Sequence, residues 1–142
     1  MDLSVAETFL LALLIASLFL NLCLLLSRLT GRFLRVNREL PSQIVKLKGT
    51  SLAEVFELIL RAELWEVVFP CFVYSLIYSY VPLYGIKAGL FCGLIIFILG
   101  SLTQVLSLGE TLKLPLPFWL HSLVWKLVKV ILIFGTFGYF FN

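Results

Sequence analysis

The chain has 142 residues, 61% of them hydrophobic and 13% charged, with a mean hydropathy of +1.08 and a formal net charge of +3. That balance excludes an ordinary soluble domain and predicts an all-α integral membrane protein. Thr8–Ser27 and Ala88–Gly109 contain no Asp, Glu, Lys or Arg, and each reaches the roughly 20 apolar residues a helix needs to cross the hydrocarbon core.

Ser4 and Glu7 form a capping-box pattern, hydroxyl first and carboxylate three residues on. Helix one follows, spanning about residues 5–28, with Ala12, Ala16 and Ser17 as a small-residue patch and Asn21 as its one strongly polar interior residue. A secretory signal peptide would need a basic start and a shorter apolar run. The start here carries Asp2 and Glu7, so the first span is expected to remain.

The connection 28–50 holds Arg28, Arg32, Arg35, Arg38, Lys46 and Lys48 against a single Glu39. The positive-inside rule places it in the cytoplasm and the N-terminus outside. The patch is either a topology determinant or a surface for anionic lipid, at about 1 kcal/mol per basic residue. Arg28, Arg32, Arg35 and Glu39 recur at helical spacing, so helix one could continue past the membrane surface, up to the residue before Pro41.

Thr50 or Ser51 with Glu54 offers a second capping box. An acidic amphipathic helix follows over 51–66, with Glu54, Glu57 and Arg61 on one face and Glu63 and Glu66 roughly opposite. Trp65 suits a water boundary. The second span is expected over 67–84, kinked at Pro70 and rich in Tyr toward its outer half.

A turn at Val81–Gly85 leads into the third span, 86–107. Gly85, Gly89 and Gly93 recur every four residues, and Gly100 follows. In lipid, such a strip allows close backbone approach. It serves either packing inside the bundle or docking of another subunit or a second copy. Gly135 and Gly138, or Ala12 and Ala16, could fill it. The fourth span, 118–141, opens after Pro115 and Pro117. Four spans put the C-terminus outside.

Ser122, Lys126, Lys129 and Thr136 share one face of helix four. Lysines at membrane depth are costly and face a bundle interior or a watery cavity. Three readings stand: snorkelling to the headgroups, a structural ion pair with Glu63 or Glu66, or a path for ions.

Cys23, Cys71 and Cys92 are spread singly over the spans, which suits apolar filler and not a metal cluster. His121 is the only histidine, so a bis-histidine haem is excluded and no cofactor is expected. No nucleophile elbow, zinc-protease motif or phosphate-binding loop is present. The sequence predicts a single four-span domain of a bacterial or archaeal cytoplasmic membrane. Its expected surroundings are lipid, other transmembrane subunits or copies of itself, with no nucleic acid. Two functions follow as expectations: a non-enzymatic accessory or scaffold subunit packing through the glycine face, or a small homo-oligomeric transporter or channel using the Lys and Glu groups.

Overall fold

A computed structural model describes residues 4–35 and 52–141. They form helices α1 (Val5–Phe33), α2 (Leu52–Glu63), α3 (Phe69–Ile77), α4 (Ile86–Ile96), α5 (Thr103–Leu112) and α6 (Leu116–Phe141), with no strand among the described residues. Wide π turns, Leu64–Val68 and Phe97–Leu102, join α2 to α3 and α4 to α5. Three helical rods are long and apolar enough to cross a membrane: Val5–Phe33, Ile86–Leu112 and Leu116–Phe141.

The capping box opens α1 as expected. Ser4 Oγ accepts from the Glu7 N–H at 3.3 Å, and Glu7 accepts from the Ser4 N–H at 2.9 Å. The helix continues past Arg28 and stops at Phe33, after which Arg35 takes a left-handed φ of 51°. Thr50 and Ser51, the hydroxyls of the second expected box, lie outside the described residues, as do Arg38, Lys46 and Lys48.

The expected 67–84 span is not one continuous helix. Pro70 has no N–H for the Glu66 carbonyl, and its ring would crowd that oxygen. The backbone widens just ahead of it, the Phe69 N–H reaching back to the Leu64 carbonyl. Phe69–Ile77 is then only 9 residues, about 14 Å. A 3₁₀ turn, Tyr78–Tyr80, ends it. Gly85 starts α4 with φ 61° and ψ −147°, a conformation open essentially to glycine alone. The third rod runs to Leu112, beyond the expected 107; at its π turn Thr103 Oγ1 donates to the carbonyls of Ile98 at 3.2 Å and Leu99 at 3.1 Å.

Helix α6 is central, with α1 and α4 both packed along it. The core gathers Leu20, Val67, Cys71, Tyr74, Ile133 and Phe137, all essentially without exposure, together with Ala12 and Ala16. Tyr74 stacks against Phe134, Phe137 and Phe141. The outward faces are apolar as well: Leu14 and Leu18 are each 66% exposed and Leu99 73%. Water would penalise such a surface, and lipid would not.

Candidate functional site

The helices bring the polar residues of the chain's interior onto one seam. Contacts of Phe9 with Phe141 and of Thr30 with His121 make α1 antiparallel to α6. That antiparallel order sets Ser17 and Asn21 at the depth of Ile133 and Lys129. Segment 64–78 runs parallel to α6: Glu66 with Lys129, Tyr74 with Phe137 and Tyr78 with Phe141 all keep the same sequence offset.

Glu63 and Glu66 enter this seam from opposite ends of one helical turn and find different partners. The Glu63 carboxylate accepts from Ser17 Oγ at 2.8 Å and from Asn21 Nδ2 at 2.6 Å. Asn21 Nδ2 also donates to the Ser17 carbonyl at 3.0 Å. Glu66 Oε2 is ion-paired with Lys129 Nζ. Lys129 is the more enclosed partner, its side chain 15% exposed against 40% for Glu66. Glu57 and Arg61, by contrast, pair on an open face. Charge-assisted hydrogen bonds of this kind are roughly twice as strong as neutral ones. They reduce the desolvation cost that would otherwise push the carboxylates out of the seam.

Lys126 sits one turn below Lys129 on α6, and no carboxylate among the described residues ion-pairs with it. Both lysines border a cavity of about 160 Å³ between α1 and α6, shared with Cys23, Ser27, Ser122 and Trp125. At the lower end Thr30 organises a second network. Its hydroxyl donates to the Leu26 carbonyl at 2.8 Å, accepts from Trp125 Nε1 at 3.0 Å and lies 2.9 Å from His121 Nε2. Gly31 is buried, and a Cβ there would lie 3.4 Å from the His121 ring.

The glycine series divides. A Cβ on Gly89 would lie 2.0 Å from the Phe134 carbonyl oxygen, and one on Gly93 would lie 3.0 Å from Phe134 Cβ. The facing element is α6, with Phe134 and Gly138 nearest to Gly89 and Gly135 off to the side. Gly85 and Gly100 are not part of that contact strip through their own faces: a Cβ on either would meet nothing within 4 Å. Gly85 serves as the turn residue, its carbonyl abutting Gly138. Gly100 falls within the second π turn, which rotates it off the strip. Ala12 and Ala16 belong to the central core.

Of the basic patch, Arg28, Arg32 and Arg35 are exposed at the end of α1. The three cysteines are buried, unpaired and on separate helices. Sequence reasoning noted Ser17 and Asn21 but did not assign them to Glu63. Their spacing of four on α1 was the available signal. The Thr30–His121–Trp125 network had no local signal, because Thr30 lies 91 residues from His121 and 95 from Trp125.

No protein family matches this chain, and comparison with curated proteins and with solved structures finds no similar one.

Proposed function

We propose that this chain is a multi-pass integral membrane protein, N-out and C-out with four crossings, acting as a non-enzymatic accessory subunit of a larger membrane assembly. Three rods supply crossings by length and composition. The second crossing is the segment 64–80, entered from α2 at the boundary. Its support is the constant offset against α6, which carries Tyr78 to the level of Phe141. α4 then starts beside Gly138, near that same end. The basic end of α1 supports a cytoplasmic face there.

The observation that carries the accessory reading is α2. Helix α2 is amphipathic in pattern, yet none of its residues is buried. Leu52 is 90% exposed, Phe56 65% and Leu60 54%, beside the open Glu57–Arg61 pair. Hydrocarbon alone suits only the apolar face, and water alone only the charged one. A helix of this kind belongs at a boundary or against another polypeptide. The glycine face is taken by α6 within the chain, so subunit contact shifts from α4 to α2.

The test is native mass spectrometry of protein extracted from its own membranes in mild detergent. The accessory reading expects a complex of fixed stoichiometry with other chains, dissociated by Phe56→Asp. A discrete homo-oligomer that carries ion flux in liposomes would favour the transporter or channel reading, which the polar cavity beside Lys126 supports.

A further inference from the structure

The 160 Å³ cavity between α1 and α6 sets two lysines beside two serine hydroxyls. Lys129 is neutralised by Glu66. Lys126 lines the same cavity and forms no ion pair with a carboxylate among the described residues. If Phe141 marks the outer end of α6, Lys126 lies about 22 Å from it at 1.5 Å per residue. A cation at that depth requires a counter-charge or a polar, wet cavity. Ser27 and Ser122 also line the cavity. Trp125 forms a wall but gives no donor to the space, since its indole N–H is committed to Thr30. At about 30 Å³ per water, the volume has room for several waters or one tetrahedral oxyanion.

The Lys126 ammonium and two hydroxyls, beside the Glu66-paired Lys129, surround a small space complementary to a phosphate group. We propose that this cavity binds a phosphate group, carried either by an anionic lipid headgroup of the cytoplasmic leaflet or by a free phosphate ion. Its position agrees with the lipid source: one residue beyond Ser27, Arg28 begins the exposed basic end of α1. The anion would supply Lys126 with a direct ion-pair partner, which no carboxylate among the described residues provides. The inference rests on the multi-pass reading, which carbonate extraction of membranes tests separately: a chain released by carbonate fails that reading, whatever it binds.

The experiment uses the full chain in vesicles of equal parts phosphatidylglycerol and phosphatidylcholine, with retained lipid read by native mass spectrometry. A parallel arm uses phosphatidylcholine alone and compares thermal stability in inorganic phosphate and in chloride at equal ionic strength. One phosphatidylglycerol per chain is expected, and Lys126→Met should lower its retention about tenfold, the scale of one lost charge-assisted hydrogen bond. Lys126→Arg should keep it. Retention without a phosphate effect assigns the site to the headgroup, and a phosphate effect without retention assigns it to the free ion. The proposal is overturned if neither arm responds. It also fails if folded Lys126→Met binds as well as the parent, or if only Arg28→Gln and Arg32→Gln reduce retention, since lipid would then sit on the exposed patch. Should Lys126→Met not fold, the Ser27→Ala/Ser122→Ala pair decides, and undiminished binding there rejects the site.

Discussion

Gly89 and Gly138 meet backbone to backbone where α4 crosses α6: a Cβ on Gly138 would lie 2.8 Å from the Gly89 nitrogen, and a Cβ on Gly89 would lie 2.9 Å from the Gly138 nitrogen. Approach this close is possible only without side chains on both helices. Lipid tails offer no hydrophobic drive between helices, so such packing contributes directly to holding the bundle together.

Gly89→Ala and Gly138→Ala should therefore each destabilise the fold by roughly 2–3 kcal/mol, since the added methyl meets rigid backbone. Gly93→Ala should cost less, because its nearest neighbour is the Phe134 side chain at 3.0 Å. Gly100→Ala, in open space, should be neutral or stabilising by up to about 1 kcal/mol of helix propensity. Thermal unfolding in detergent orders the four variants. Equal losses at Gly89 and Gly100 would contradict the crossing described.

Removing one member of the Lys129–Glu66 pair leaves the other charge without its partner. Lys129→Met should accordingly be more damaging than Lys129→Met combined with Glu66→Gln. The double-mutant cycle should give an interaction energy of about 1–3 kcal/mol. Additive losses would mean that the two side chains do not act as a pair in the membrane.

Glu63 is held by two neutral donors from α1, Ser17 and Asn21. Glu63→Gln keeps an acceptor oxygen, and should retain most of the stability. Asn21→Leu leaves the carboxylate with Ser17 as its one remaining donor of the two, and should cost about 1.5–3 kcal/mol. If Asn21→Leu in the Glu63→Gln background costs as much as in the parent, the contribution of Asn21 lies elsewhere.

The proposed topology can be tested at two exposed turns. Tyr84, 86% exposed, precedes α4, and Lys113 caps the end of α5 with φ 47°. Tyr84→Cys should react with an impermeant maleimide applied outside intact cells, and Lys113→Cys only after permeabilisation. The native cysteines are buried, so background labelling should be low. The reverse pattern would invert the orientation.

Much of the architecture was legible because it depends on local rules. The runs Thr8–Ser27 and Ala88–Gly109 announced membrane-length helices, since hydrocarbon tolerates no unsatisfied backbone and few charges. The box at Ser4 and Glu7 acts over three residues, and its two hydrogen bonds form as the spacing dictates. Pro70 marked a disturbance, but the π turn that absorbs it and the early end at Ile77 depend on how Val67 and Tyr74 pack into the core.

What tertiary structure alone decided was partnership. The periodicity of Gly85, Gly89, Gly93 and Gly100 could not say which of them meets a neighbour. That depended on the α4–α6 crossing and on a π turn that shifts Gly100 out of phase. Glu63 and Glu66 could both have sought Lys129, but the turn between them sends one to Asn21 and the other to the lysine. Periodicity assigns a side chain to a face of its own helix, because that is a matter of dihedral angles. The partner across the gap is set by the rotation and depth of a second helix, which long-range packing determines.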